Sequence, residues 1–161
     1  MAAFIGWYMD IFRRGENIMT RTRIKFFVPG TPAPQGSKRA LGPGRMIEMS
    51  KNVGPWRERI ALAAHNAMKG QPLFSGPTAI FINLVLPRPK STPKTYTPDA
   101  IKRPDIDKLA RACLDAITGV IIADDAQIIE LQATKRVAGI GETPGAELEI
   151  IALNPTTARS A

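Results

Sequence analysis

One segment, residues 103–127, places two pairs of aspartates on either side of a predicted helix. Its sequence is RPDIDKLARACLDAITGVIIADDAQ. Apolar residues recur at helical spacing between the two pairs, Asp105 suits a helix cap, and Gly119 suits the position just after the helix. A helix of about twelve residues is roughly 18 Å long at 1.5 Å per residue. The first pair, Asp105 and Asp107, is therefore predicted at one end of a rigid element.

Residues 120–125 decide whether the second pair can join the first. If this segment is extended, at roughly 3.3 Å per residue it covers nearly the length of the helix. A chain that turns back at Gly119 would then return Asp125 to Asp105 and Asp107. Residues two apart on a helix point in nearly opposite directions, so Asp105 must precede the first full turn. The three carboxylates could then converge, as is typical of a divalent-cation site, and the structural alternative for them is a helix cap plus a turn.

The composition favours a single domain with a polyanionic partner. The chain has 161 residues, 22 Lys plus Arg against 14 Asp plus Glu, and a formal net charge of +8, so binding to a nucleic acid is favoured. No run of 18 or more apolar residues is present, which excludes a membrane-spanning helix from the prediction. The lone cysteine, Cys113, lies on the apolar stripe of the predicted helix and is interpreted as buried and inert, in a reducing compartment.

The order of predicted elements indicates an α+β fold. Strands are predicted at residues 23–28, 46–49, 78–86, 127–137 and 146–153, and helices at about 55–67 and 105–117. We expect a single domain in which two main helices pack on a mixed sheet of about five strands. The strand at 46–49 is expected to form a hairpin with the first strand.

The two ends of the chain are predicted to lie outside the domain. Residues 1–18 are interpreted as an N-terminal extension, either a short amphipathic segment or an appendage from an upstream start codon, because Met19 directly precedes the first strand. Arginines follow the apolar stretch, which is the wrong order for a secretory signal. Residues 19–153 form the predicted domain, and residues 154–161 a flexible tail.

Two connections are rich in proline and in basic residues. The first spans residues 29–45, and the second spans residues 87–104, with five cations between Arg88 and Arg103 against one acidic residue. Both are open to two interpretations, a solvated loop or a contact with a phosphate backbone, and the second interpretation is preferred for residues 87–104. Tyr96 in that linker could stack on a base or sugar, or pack in the ordinary way.

Carboxylates are costly at a nucleic-acid surface, because they repel phosphates, unless a hard cation bridges the two. A bound cation of this kind polarises a phosphoryl oxygen and orients water for in-line attack. The acidic segment in a basic chain therefore points to phosphodiester hydrolysis.

The segment RPDIDKLARACLDAITGVIIADDAQI resembles the signature of the RusA family of Holliday junction resolvases, and the similarity extends to PGTPAPQGSKRA, LPRPK and QATKRV. It covers residues from about 23 to 153. The resemblance implies a RusA-like fold and catalytic aspartates at Asp105, Asp107 and Asp125, which bind Mg²⁺, with Mn²⁺ as an alternative. It places Arg111 at the position of a functionally important lysine.

The resemblance also implies partners and setting. Members of the family act as homodimers that bind four-way DNA junctions and nick two opposed strands symmetrically in DNA recombination and repair, without a small-molecule cofactor or a membrane. The setting implied is the cytoplasm of a bacterial or phage-infected cell. Contacts with DNA are expected from Lys38, Arg39, Arg88, Lys90, Lys94, Lys102, Arg103 and Lys108.

Two residues depart from the family pattern. Lys108 stands where the family commonly has Asn, and Arg111 stands where it has lysine. Arginine can clamp a phosphate oxygen but cannot act as a titrating acid. A third interpretation pairs Arg111 with Asp107 or Asp115, each four residues away.

Several residues of the chain have structural interpretations. Asp115 is predicted to form a salt bridge, Asp124 to have a supporting or solvent role, and His65 to be structural or exposed. Two rival functions stay open: a branched-DNA-binding protein without catalysis, and a metal nuclease for another branched or flapped substrate.

Overall fold

The computed structural model describes residues 22–36, 38–42, 45–48 and 52–153, with side chains for 22–36 and 52–153. The predicted N-terminal extension and the predicted tail lie outside these ranges. Within them, no helix has both the length and the apolar character needed to cross a membrane.

The described residues form six strands and two α-helices. They are β1 (Arg23–Pro29), β2 (Lys38–Gly42), β3 (Arg45–Glu48), α1 (Val53–Met68), β4 (Thr78–Leu86), α2 (Ile106–Ile117), β5 (Ile128–Val137) and β6 (Gly145–Ala152). A 3₁₀ helix, Asp125–Gln127, directly precedes β5. The predicted α+β class is confirmed.

The main sheet has four strands in the order β1, β6, β4, β5. Strands β4 and β5 are parallel, whereas β6 runs antiparallel to both β1 and β4. The predicted burial of β4 is confirmed, since all of its residues except Asn83 are buried. On the other side of β5, no described strand forms a pair, so β5 is an edge of the sheet.

The predicted count of about five strands in the sheet is wrong, because β3 belongs to a separate two-stranded sheet. It pairs with β2, with Arg39 opposite Ile47, rather than with β1. Strand β1 pairs instead with β6, where Phe26 lies opposite Leu148 and Ile24 opposite Ile150. That pairing joins the apolar faces of two alternating strands. Strand β2 lies inside the segment that had been predicted as a loop.

Both helices pack on one face of the main sheet. The buried positions of α1 include Trp56, Ile60 and Ala64, four residues apart on one stripe. They share a core with Leu109 and Cys113 of α2 and with the inward side chains of the sheet. Each large aliphatic side chain buried in this way contributes about 1.5–3 kcal/mol of transfer free energy.

The other face of the sheet carries charged pairs beside apolar residues such as Phe27 and Phe81. Arg23 pairs with Glu149 at 2.7 Å and Lys25 pairs with Glu147 at 3.1 Å, both across the β1–β6 pair. Surface pairs of this kind contribute little to stability. The two helices therefore cover only one face of the sheet, and the aspartates of α2 lie on that side.

Helix α2 runs antiparallel to β4 and β5. At its start, the Lys135 ammonium near the end of β5 donates hydrogen bonds to the carbonyl oxygens of Lys102, at 3.0 Å, and Pro104, at 2.8 Å. Beyond its end, the backbone nitrogen of Phe74 donates to the carbonyl of Ile121 at 2.7 Å, just before β4 begins. The two ends of α2 are thus tied to opposite ends of the strands.

The predicted extended return of residues 120–125 is wrong. The chain makes a tight turn in which the Ile121 nitrogen donates to the Ile117 carbonyl at 2.9 Å, and the Gly119 nitrogen donates to the Ile122 carbonyl at 2.7 Å. Ile121 and Ile122 are both completely buried. Burial of these two side chains keeps the chain at the end of α2, where it leads directly into β5.

Candidate active site

Asp105 stands at the start of α2 without capping it. The residue has extended backbone angles, φ −72° and ψ 140°, and its side chain makes no capping hydrogen bond. Its carboxylate lies 3.3 Å from the Lys108 ammonium, and both side chains are about half exposed. Asp105 therefore precedes the first full turn, as predicted, and its carboxylate pairs with Lys108 instead of capping the helix.

Asp107 and Arg111 are exposed on the first two turns of α2. Neither side chain forms an ion pair or hydrogen bond with any residue that the structure describes. The interpretation that pairs Arg111 with Asp107 or Asp115 is therefore not supported. The predicted salt bridge of Asp115 is confirmed, but its partner is Arg57 of α1, at 3.8 Å.

The second aspartate pair divides into a capping residue and an exposed carboxylate. The Asp124 carboxylate accepts a hydrogen bond from the Ala126 nitrogen at 2.8 Å, and the Asp124 nitrogen donates to the Gln127 side-chain oxygen at 2.8 Å. Gln127 also donates to the carbonyl oxygens of Phe74 and Gly76, at 2.9 and 3.0 Å. The supporting role of Asp124 is thus to cap the 3₁₀ helix. Asp125 is exposed and its side chain has no partner among the described residues.

The predicted convergence of three carboxylates is not found within one chain. Across the described ranges, no three side chains of Asp, Glu, His or Cys lie close enough together to hold a metal ion. Asp105 and Asp107 lie at the start of α2 and Asp125 beyond its end, and the 12 residues of α2 lie between. This helix alone spans about 18 Å. The assignment of the three aspartates as ligands stays a prediction.

The basic linker, residues 87–104, contains no described helix or strand but is held in place by Arg88. The guanidinium donates to the Thr97 hydroxyl at 2.9 Å and to the carbonyl oxygens of Ala138, Pro93 and Tyr96, at 3.2, 2.6 and 2.7 Å. Arg88 therefore has a structural role that sequence alone did not separate from DNA contact. The remaining cations of the linker are exposed: Lys90, Lys94, Lys102 and Arg103. The Tyr96 ring is also exposed, which favours stacking over packing.

Lys135 is a residue that the sequence analysis missed. Its two hydrogen bonds fix the last residues of the linker against β5, directly before Asp105. Lys135 lies opposite Leu84 in the sheet, in the alternating row that also contains Leu131, Ala133 and Val137. A single lysine in an otherwise apolar row was the signal that could have identified it.

The first basic connection reaches the same end of α2. The backbone nitrogen of Gln35 donates to the carbonyl of Lys108 at 2.9 Å. Lys38 and Arg39 follow in β2, of which only the backbone is described. Both basic segments of the chain therefore approach the first turn of α2, where Asp105 and Asp107 lie.

Cys113 and His65 have no place in this site. Cys113 is completely buried, and burial raises the pKa of its thiol to about 12, so it is not a nucleophile at neutral pH. His65 is exposed near the end of α1. The sequence-based interpretation of both residues is confirmed.

Two comparisons with known proteins bear on this arrangement. Residues 29–151 match the family described as Endodeoxyribonuclease RusA. The chain is also 28% identical, over 124 residues, to a Bacillus subtilis (strain 168) protein described as "Uncharacterized protein YqaN", a match that covers 70% of this chain and 86% of that protein. The family match spans every element from the end of β1 into β6, including both aspartate pairs. The chain therefore belongs to the RusA family, endodeoxyribonucleases that bind and hydrolyse branched DNA.

Proposed function

We propose that this chain is a Mg²⁺-dependent endonuclease that resolves Holliday junctions by paired symmetric nicks during DNA recombination and repair, with Mn²⁺ as an alternative ion. The observation that carries the proposal is the position of Asp105 and Asp107. Both are exposed where the basic linker meets α2; Asp105 pairs with the exposed Lys108, and Asp107 has no side-chain partner among the described residues. Exposed carboxylate oxygens at this position are available to bind a hard cation such as Mg²⁺.

The cations around the start of α2 account for DNA binding. Lys102, Arg103 and Lys108 are exposed within a few residues of the aspartates, and the chain carries a net charge of +8. Such groups attract the phosphate backbone and position it, while the paired aspartates repel it locally. We expect junction affinity to fall as salt concentration rises, because counterions released on binding dominate the affinity.

Arg111 contributes a fixed positive charge to this end of α2. It is exposed and one turn from Asp107, and it has no ionic partner among the described residues. Its guanidinium stays protonated throughout the physiological range and can hold a phosphate oxygen through two parallel hydrogen bonds. We therefore assign Arg111 an electrostatic role and no role in proton transfer.

The three proposed Mg²⁺ ligands do not come together within one chain. Asp105 and Asp107 supply carboxylate oxygens of the kind that Mg²⁺ prefers, but the third proposed ligand, Asp125, lies beyond the opposite end of α2. No reaction step is therefore assigned to an ion held by a single chain.

Cleavage of a synthetic four-way junction tests the proposed function. With Mg²⁺, the purified chain should produce symmetric nicks in two opposed strands, and a chelator should remove this activity. A linear duplex of the same sequence is the matched control and should stay uncut. Binding without cleavage at any Mg²⁺ concentration would instead indicate a non-catalytic junction-binding protein. Faster cleavage of a flap than of the junction would indicate the other nuclease function.

Lys135 should act as a positioning residue for Asp105 and Asp107. Lys135→Met removes both hydrogen bonds to the end of the linker, so the aspartates lose their fixed position. A misplacement of about 1 Å can lower turnover on the order of a hundredfold, and we expect kcat for junction cleavage to fall about tenfold or more with little change in junction affinity.

Two further variants separate positioning from general destabilisation. Lys135→Arg retains donors for both carbonyls and should recover part of the activity. Lys25→Met removes a cation from the opposite face of the sheet, where it pairs with Glu147, and should leave kcat unchanged. Equal losses for the Lys135 and Lys25 variants would contradict a positioning role.

A further inference from the structure

We propose that Ile101 is an apolar wedge that enters the base stack at the branch point of the DNA and thereby selects branched DNA over a linear duplex. The inference deepens the proposed function, on which it rests for the junction as substrate. Among the large apolar side chains exposed in the described ranges, that of Ile101 has the highest exposed fraction, 87%. Single exposed apolar side chains are common on protein surfaces, so the role of Ile101 follows from where it lies.

The backbone that carries Ile101 is fixed on both sides. Before it, the Arg88 guanidinium donates a hydrogen bond to the Tyr96 carbonyl at 2.7 Å. Directly after it, the Lys135 ammonium donates to the Lys102 carbonyl at 3.0 Å. A side chain on a backbone held in this way loses little further conformational freedom when it binds a partner.

Ile101 takes no part in the hydrophobic core, although its neighbour does. Ala100 packs against the core, whereas the apolar surface of Ile101 stays in contact with water. Packing within the chain therefore does not account for an isoleucine at this position. A partner that buries this side chain gains a factor of about ten or more in affinity from the apolar surface removed from water.

The charges around Ile101 indicate that this partner is DNA. Four cations of the linker are exposed: Lys90, Lys94, Lys102 and Arg103. The last two directly follow Ile101, and Asp99 is the only acidic residue between Pro87 and Pro104. Such a set of cations attracts and positions a phosphate backbone, which brings the base stack next to Ile101.

Insertion at the branch point explains how an apolar side chain can select branched DNA. An apolar side chain that enters between base pairs partly unstacks them, at a cost in stacking free energy. The continuous stack of a duplex is interrupted at a branch, so this cost is lower there than inside a linear duplex. Ile101 therefore favours the branch point, whereas the cations bind the backbone of either form of DNA.

Ile101 also lies close to the aspartates. Four residue steps separate it from Asp105, so the two Cα atoms are at most about 14 Å apart. A DNA strand advances about 3.4 Å along the helix axis per nucleotide. The base step that Ile101 enters therefore lies within about four nucleotides of a phosphate beside Asp105.

A fluorescent adenine analogue, whose emission is quenched by base stacking, tests the insertion directly. The analogue replaces an adenine at the branch point of a synthetic four-way junction, and a chelator prevents cleavage. At protein concentrations that saturate the junction in a gel shift, the unsubstituted chain should raise the emission severalfold. Ile101→Ala should lose most of this rise, and the analogue inside a linear duplex should stay quenched with both proteins. An equal rise for Ile101→Ala and the unsubstituted chain would overturn the proposal.

Binding affinities provide a second readout. Ile101→Ala should weaken junction binding about fivefold, since unstacking offsets part of the gain from burial, and should leave duplex binding unchanged. Ile101→Leu retains an apolar side chain of the same size and should keep both the affinity and the emission. Equal weakening of junction and duplex binding would contradict the proposal, because it would indicate a general contact with DNA.

Leu62→Ala is the matched control for Ile101→Ala. Leu62 is 64% exposed on α1, and its truncation should change neither the emission nor the junction affinity. Both substitutions are on the surface, so both variants should melt at the temperature of the unsubstituted chain. Sedimentation compares their oligomeric states. Dissociation of Ile101→Ala alone would place Ile101 in a contact between two copies of the chain and would contradict a wedge.

Failure of the inference and failure of the proposed function give different results. If the unsubstituted chain raises the emission at the branch but leaves the junction uncut with Mg²⁺, the proposed nuclease function fails and the inference stands. Symmetric nicks, together with emission that stays quenched in the chelated complex, would support the nuclease and overturn the wedge. A chain that leaves the junction unbound would contradict both.

Discussion

Asp107→Asn should abolish junction cleavage while junction binding stays equal or becomes tighter. The Asp107 carboxylate is exposed and has no ionic partner among the described residues, so its replacement by the isosteric amide removes a negative charge without leaving a buried cation unpaired. Asp107 would help to hold the cation that neutralises negative charge on the scissile phosphate, and loss of such electrostatic stabilisation typically lowers kcat by about a hundredfold or more. Removal of local repulsion from phosphates acts in the opposite direction on binding. Gel-shift and cleavage assays on the same junction measure the two effects separately.

Asp115→Asn is the matched control for Asp107→Asn. It removes a carboxylate from the same helix, where the side chain pairs with Arg57 at 3.8 Å and lies away from the first turn. Partly exposed ion pairs of this kind contribute about 0.2–1 kcal/mol, so stability should change little and cleavage should be retained. Full cleavage by the Asp107 variant, or equal loss of binding and cleavage, would remove Asp107 from the proposed active site.

Gly145→Ala should destabilise the fold more than any other single-methyl addition proposed here. Gly145 begins β6 and lies opposite Pro29 in β1 and Val85 in β4. A Cβ at this position would clash with the carbonyl oxygen of Val28 and would lie 2.5 Å from the ring of Phe27. The carbonyl belongs to a paired strand and cannot move without disturbing the β1–β6 ladder. Such overpacking costs about 3 kcal/mol, which lowers the melting temperature by on the order of 10 °C in a domain of this size.

Gly54→Ala provides the control for that prediction. Gly54 lies in the first turn of α1, and an added Cβ would meet no atom within 4 Å. Alanine restricts the unfolded chain and favours the helix, by about 0.5–1 kcal/mol within a helix. The melting temperature should therefore stay unchanged or rise slightly. If both alanine variants melt at the temperature of the original chain, the close packing at the β1–β6 pair is not limiting for stability.

The regular elements were largely predictable because their signals are local. Apolar spacing located both helices, flanking prolines bounded β4, and Gly119 occupies the predicted position after α2 with φ +78°. Burial of Cys113 followed from the same helical stripe. By contrast, β2 and β3 were mispredicted as a loop and a partner of β1, because strand pairing depends on which distant segment offers a matching face.

The roles of charged side chains were only partly predictable. Sequence identified the cations of the linker but did not separate Arg88, which holds the linker through four hydrogen bonds, from cations that stay exposed. It predicted that Asp115 forms a salt bridge but not that its partner lies on α1. Lys135 was missed because its acceptors are backbone carbonyls about thirty residues away. Every residue has a backbone carbonyl, so the amino-acid sequence does not indicate which ones accept a hydrogen bond from a lysine.

The segment with which the sequence analysis began shows where local information ends. The sequence by itself determined that Asp105 and Asp107 stand at the start of a helix and that Asp124 and Asp125 follow its end, because caps, glycine and apolar spacing act over a few residues. Only the tertiary structure decided that Asp125 stays at the far end. Ile121 and Ile122 are buried in the shared core, and the free energy gained by this burial favours the tight turn. An extended return along α2 would be exposed and would gain no comparable free energy from apolar burial.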